Sequence, residues 1–156
     1  MDKMTAIYPF NNRIETGLRS LFILTYCYPR TFDLDYLVCL DYLCVHSGDF
    51  DKNMPSLHAA TPNRGGEIYV HRAIIEEGLN LLYAKHLVHK CYLQTGIEYS
   101  ATEESAPFID SMGSEYCKRL HVRSTWIKHT ISSNSKTELE KMIKQQATDF
   151  LFQVLR

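Results

Sequence analysis

The spacing of the apolar residues turns from helical to strand-like near Leu87, and that change restricts the fold more than any other feature. Before it, apolar positions recur at helical spacing. Leu87-Val88-His89-Lys90-Cys91-Tyr92-Leu93 and Ile97-Glu98-Tyr99-Ser100 are instead short β-prone runs, joined by a turn over Gln94-Thr95-Gly96. Two such runs with a glycine-bearing connection predict a β-hairpin set among helices.

Helix boundaries can be read from capping chemistry. Asn12-Arg13-Ile14-Glu15 resembles a capping box, so a first helix is predicted from there to about Tyr28, where Pro29 stops it. Asp33 is the next cap, with Asp35 in the positive first turn. The helix that follows, through Val45, has so few polar positions that it belongs at the centre of the core. A third helix is predicted over about 70–85, a short one from Thr102 through Phe108, and another from Gly113-Ser114 to about Ile131. The order helix, helix, helix, hairpin, helix predicts a mainly α fold with a small β-hairpin, built on a winged helix-turn-helix-like core.

Residues 1–131 are read as that domain and 132–136 as a polar linker. Residues 137–156 form a C-terminal amphipathic helix opened by Thr137-x-x-Glu140. Leu139, Met142, Ile143, Ala147, Phe150 and Val154 make one stripe of that helix, widened by Leu151 and Leu155. The stripe fits a partner surface or the helices of its own chain. With 156 residues and 45% hydrophobic content, the chain can bury a core without metals or cross-links. Cys27, Cys39, Cys44, Cys91 and Cys117 are odd in number and contain no C-x-x-C pair, so they read as buried thiols of a reducing cytoplasm. No leader pattern marks residues 1–12. The densest apolar run, Leu21 to Tyr28, is far short of the roughly 20 residues that span a bilayer, so a soluble, cytoplasmic protein without membrane association is expected.

Seventeen Lys and Arg against 18 Asp and Glu leave a net charge of −1, which gives no general attraction for polyanions. A DNA-reading helix presents Arg, Lys, Asn or Gln to base edges, whereas the third helix here offers His71-Arg72 and then Glu76-Glu77. The best basic patch is Lys118, Arg119, Arg123 and Lys128, a candidate set of DNA-backbone contacts or simply a solvated helix face. Trp126, with Val122 beside it, lies off the core stripe of the same helix. It reads as an interface anchor or as a ring packed beneath the terminal helix.

Seven histidines show neither H-E-x-x-H nor a paired Cys/His zinc spacing, and no G-x-S-x-G or P-loop is present. No catalytic residue, metal or cofactor is therefore expected. The stretch over 48–66 is longer than an ordinary connection and rich in Gly, Pro, Asn and Ser, which is typical of functional loops. Leu57, His58, Thr61, Arg64 and Glu67 are its candidate protein contacts. A general-base role for His58 in a small hydrolase is an alternative, as is a winged-helix transcriptional regulator.

Several linked segments carry a resemblance over most of residues 9–126. They are Pro9-Phe10-Asn11 with Glu15-x-Gly17-Leu18-Arg19; Tyr28-Pro29; Asp41-Tyr42 with Val45-His46-Ser47-Gly48-Asp49; and Ser56-Leu57-His58-x-Ala60-Thr61-Pro62-x-Arg64-x-Gly66-Glu67. Glu77-Gly78-Leu79, Tyr99-x-Ala101-Thr102-Glu103, Phe108, Tyr116 and Arg123-x-x-Trp126 complete the set. Together they resemble the middle component of three-component conflict systems built around an SMC-like ATPase, Lamassu-type defence among them. The resemblance implies a non-catalytic adaptor between an SMC-like coiled-coil ATPase and an effector nuclease, acting against phage and plasmids in bacteria and meeting DNA only indirectly through the complex.

Overall fold

The computed structural model describes residues 12–58 and 67–155, with the side chains of 67–70 and 150–155 outside the description. Its elements are α1 (Arg13–Tyr26), β1 (Phe32–Asp33), α2 (Leu34–Val45), a 3-10 turn at Ser47–Asp49, α3 (Glu67–Ala84), β2 (Val88–Leu93), β3 (Gly96–Ala101), α4 (Ser105–Asp110), α5 (Glu115–Ser133) and α6 (Lys136–Leu155). The fold is mainly helical with one small antiparallel sheet, as the apolar spacing predicts.

The Asn12 side chain accepts the Glu15 N–H at 2.8 Å, and Asp33 accepts the Tyr36 N–H at 2.8 Å, so both expected caps start their helices. In α2 every residue except Asp35 is buried. This helix is the axis of the core, covered by α1, α3, α5 and α6. α1 and α3 cross so closely that a Cβ on Gly78 would lie 2.6 Å from the Arg13 carbonyl oxygen and 2.8 Å from the Gly17 Cα. Only paired glycines permit that approach.

The hairpin keeps continuous register from Val88 opposite Ala101 to Leu93 opposite Gly96. Gly96, with φ of +133° and open space around its Cβ position, is a glycine for conformation rather than for room. The sheet has a third strand that periodicity does not reveal: Phe32 pairs with Tyr99 and Asp33 with Glu98, giving the order β1-β3-β2. Two residues cannot display an alternation, and their partners lie more than 60 positions away.

Two other boundaries also move. Thr102 does not cap α4 as its first residue. Its hydroxyl donates to the His86 carbonyl at 2.8 Å, and the helix begins at Ser105, whose Oγ donates to the Leu87 carbonyl at 2.6 Å. α5 and α6 are separated by Asn134 and Ser135, and Ser135 rather than Thr137 caps the last helix by accepting the Glu138 N–H at 3.2 Å. All five cysteines are free thiols, four buried and Cys91 half-buried. Among the described residues no helix is long and apolar enough to cross a membrane.

Candidate functional site

The most unusual chemistry lies inside the molecule. Arg19, in the middle of α1, has no solvent exposure, and its guanidinium reaches Asp41 of α2 with Nε to Oδ1 at 2.6 Å and Nη2 to Oδ2 at 3.3 Å. Asp41 is itself 2% exposed. The same guanidinium donates to Thr16 Oγ1 at 3.4 Å and to the Tyr116 hydroxyl of α5 at 3.3 Å. Burial alone would lower the Arg19 pKa. The Asp41 carboxylate and the Tyr116 oxygen outweigh it and hold the group above its ordinary value, permanently charged. Burial pushes the Tyr116 phenol up to about 12, with Arg19 opposing the rise, so its proton is retained and available to donate.

The centre continues outward. Tyr116 Oη lies 3.0 Å from His58 Nε2, with the two rings stacked at 5.9 Å between centroids. His71 of α3 brings Nδ1 within 4.0 Å of Asp41 Oδ2. Four helices and the segment before α3 therefore meet around one ion pair.

That segment is held by its backbone. Leu57 N–H donates to the Val45 carbonyl at 3.0 Å, Ser47 Oγ to the Pro55 carbonyl at 3.0 Å, and Gly48 N–H to Ser56 Oγ at 3.0 Å. From α5, Arg119 Nη2 donates to the carbonyls of Ser56 and Leu57 at 3.2 and 2.9 Å, and Arg123 Nη2 donates to the Pro55 carbonyl. Burial, and then the neighbouring Arg119 charge, hold the Arg123 pKa below its usual value. Hydrogen bonds from charged donors are each worth roughly 1.5–3 kcal/mol, and here they fix the path on which the chain enters residues 59–66.

The predicted residues therefore divide. Arg119 and Arg123 are drawn as DNA-backbone contacts in the basic patch, yet their guanidinium groups are committed to carbonyls of the same chain, and Arg123 is 5% exposed. A residue buried to that degree has no surface for a phosphate. Lys118, paired with Glu115 at 3.1 Å, Lys128 and Arg119 itself remain exposed, so burial removes only Arg123 from the patch. Leu57 is buried in the core rather than offered to a partner, whereas His58 is half-buried at its rim. Thr61 and Arg64 lie outside the described residues, as does the Glu67 side chain; the Glu67 backbone opens α3.

On α5, Val122 is 53% exposed, and Trp126 is half-buried with its ring packed against the core. On α6, Leu139 and Ile143 have no exposure and Ala147 little, because the stripe closes over α2. That part of the helix serves its own core and is not a free partner surface. Met142, off the buried line, is 44% exposed. The side chains of Phe150, Leu151 and Val154 lie outside the description.

Among the described residues no group of three or more His, Cys, Asp and Glu side chains is placed to hold a metal ion. Sequence reasoning missed the role of Arg19 and Asp41, although both stand in the segments that carry the family resemblance. Those segments converge: Gly17 and Arg19, Asp41, Val45 to Gly48, Ser56 to His58, Gly78, Tyr116 and Arg123 all belong to the ion-pair centre, the clamped entry to 59–66 or the α1–α3 crossing.

No curated protein and no solved structure matches this chain. A family model does, over residues 9–153: that of the ABC-three component (ABC-3C) system Middle Component 2. With the match covering nearly the whole chain, this protein belongs to the Middle Component 2 family of ABC-three component systems.

Proposed function

We propose that the chain is a non-catalytic adaptor that couples an SMC-like coiled-coil ATPase to an effector nuclease in a cytoplasmic, Lamassu-type bacterial defence complex against phage and plasmids. Membership of a multi-component family supports the need for protein partners. The observation that supports the non-catalytic reading is the sealing of Arg19: among the described residues, the Arg19–Asp41 pair is closed to solvent and so to substrate. Its hydrogen bonds instead tie α1, α2 and α5 to the entry of residues 59–66, with His71 of α3 4.0 Å from Asp41. That suits a scaffold which presents a segment to a neighbour, and coupling then requires contacts that differ between the states of the ATPase.

We further infer a winged-helix-like core. The order α1-β1-α2-α3-β2-β3 with strands arranged β1-β3-β2 favours it. In such a core α3 takes the groove-facing position, and there Glu76 and Glu77 are exposed while Arg72 is engaged by Asp35 at 3.0 Å. That surface disfavours duplex, so DNA is met through the complex.

The deciding experiment co-expresses the chain with the products of the genes flanking its own. One stable assembly containing a coiled-coil ATPase and a nuclease is expected. A purified chain that grips a defined duplex with a steep salt dependence, or turns over a substrate unaided, overturns the reading.

A further inference from the structure

A groove of about 720 Å³ opens between the start of α1, the end of α3 and α4, and its floor is almost wholly apolar: Leu81, Leu82, Leu87, Pro107 and Phe108, with Ile14 on one wall. Ile14 is 64% exposed and Phe108 38% exposed. The floor continues between α1 and α3 toward Gly17, Gly78 and Met112. An open apolar concavity of this size costs free energy when wetted and is gained back when covered.

The chemistry of the rim selects what covers it. Arg13 and Lys85 stand at its edge, both exposed and neither with an ion-pair partner among the described residues. Glu104 also lines the groove, leaving two cations against one carboxylate around it. The walls are helices, whose backbone groups are already hydrogen-bonded, so the groove offers no strand edge to an extended peptide. An occupant must satisfy its own backbone, which a helix does.

We propose that this groove holds a helix of a partner subunit, with an apolar i, i+3, i+4 stripe on the floor and carboxylates that meet Arg13 and Lys85. This rests on the adaptor reading and adds the surface and the chemistry of the partner. The floor lies apart from the buried ion pair: Arg19 and Asp41 face inward beneath α1, whereas Ile14 and Phe108 face solvent. Substitution at the exposed positions 14 and 108 would therefore leave the ion pair and the core in place.

The test uses the reconstituted assembly of this chain with the ATPase and nuclease subunits. Ile14→Glu and Phe108→Asp, each at an already exposed position, are expected to weaken assembly by about thirty-fold or more, the effect of an anchor residue. Lys85→Glu is expected to weaken it less and to be rescued by an Asp or Glu to Lys change in the partner. A photocrosslinking residue at position 14 is expected to react with a helical segment carrying that apolar stripe and those carboxylates. Crosslinks confined to residues 1–11 of the same chain, or to a second copy of it, overturn the proposal, as does assembly that is indifferent to all three substitutions. In those outcomes the complex still forms, and the adaptor reading stands. If no complex forms with the wild-type chain, both fail.

Discussion

Arg19 and Asp41, 22 residues apart in sequence and on adjacent helices, meet in a two-pronged ion pair with neither side chain more than 3% exposed. Removing two charges from water is costly, and the pair persists because Thr16 and Tyr116 take up further donors of the guanidinium. Asp41→Asn would leave that guanidinium buried without its counter-charge. A loss of about 3–5 kcal/mol in urea denaturation is expected. Replacing both partners with apolar residues, Arg19→Met with Asp41→Leu, should recover much of it, whereas a single-site loss below about 1 kcal/mol would remove the pair from its central place.

The α1–α3 crossing makes a prediction that opposes helix propensity. Alanine in place of a helical glycine ordinarily gains about 1 kcal/mol. At Gly78 the new methyl would press on the Arg13 carbonyl oxygen at 2.6 Å and the Gly17 Cα at 2.8 Å, both backbone atoms with no rotamer to escape into. Gly78→Ala is therefore expected to destabilise by about 1–3 kcal/mol despite its propensity gain. Gly17→Ala, whose nearest contact is 3.1 Å, should cost less. Denaturation midpoints of the two variants, compared directly, check the order.

The committed arginines separate a structural role from a nucleic-acid one. If Arg119 and Arg123 hold the carbonyls of residues 55–57, Arg119→Ala and Arg123→Ala should speed amide exchange at Leu57 and around it, because the entry to 59–66 loses its clamps. Neither should alter weak binding to duplex DNA. A phosphate role would instead reduce the salt slope of that binding by about 1 for each residue removed.

What could be read in advance follows the range of the interactions. Caps act within one turn, so Asn12 and Asp33 announce their helices. The absence of polar positions from Leu34 to Val45 announces a central helix for the same local reason. Arg19 carries no local signal of burial, since its partners lie on α2 and α5 and an arginine in a helix usually faces water. The terminal helix illustrates a second limit. Its stripe is plain in the sequence, but a stripe states only that a face will be covered, and Leu139 and Ile143 turn out to be covered by α2 of the same chain. The basic residues of α5 make the same point, because charge composition does not say which cations already have acceptors.

Thiol reactivity should follow burial. Cys44 is fully buried, and burial, reinforced by the Asp41 charge, pushes its thiol up to about 12. Cys39 is pushed to about 11 by burial as well. Neither should alkylate in the native protein at pH 8, because the thiolate is the reactive form and is scarcely present. Cys91, half-buried on the hairpin, should react first. Mass spectrometry after brief iodoacetamide treatment ranks them, and modification of Cys44 ahead of Cys91 without unfolding would contradict the packing of α2.

The start of α6 is tied to the start of α2 through Asp33, which accepts both the Tyr36 N–H and Lys136 Nζ at 2.8 Å. Burial alone would raise the Asp33 carboxyl, but the bonds from Lys136 and the Tyr36 amide outweigh it and hold it below its usual range. A folded pKa below the unfolded value, about 3.9, means that the stabilisation is complete above that value and is lost as pH falls through the folded one. Both side chains are more than a third exposed, so solvent screening keeps the ion pair itself below about 1 kcal/mol. Asn caps a helix as well as Asp does, so Asp33→Asn removes the charge and leaves the cap. The stability gap between wild type and Asp33→Asn should hence be constant from pH 7 to about 5 and close toward pH 3 as Asp33 protonates. Asp33→Ala should keep an additional deficit of about 1 kcal/mol at every pH, because the α2 amide loses its acceptor. No gap for Asp33→Asn at pH 7 would mean that the α2–α6 junction is held by packing of Lys136 over the Tyr36 ring, 5.4 Å from its centroid, and not by the carboxylate.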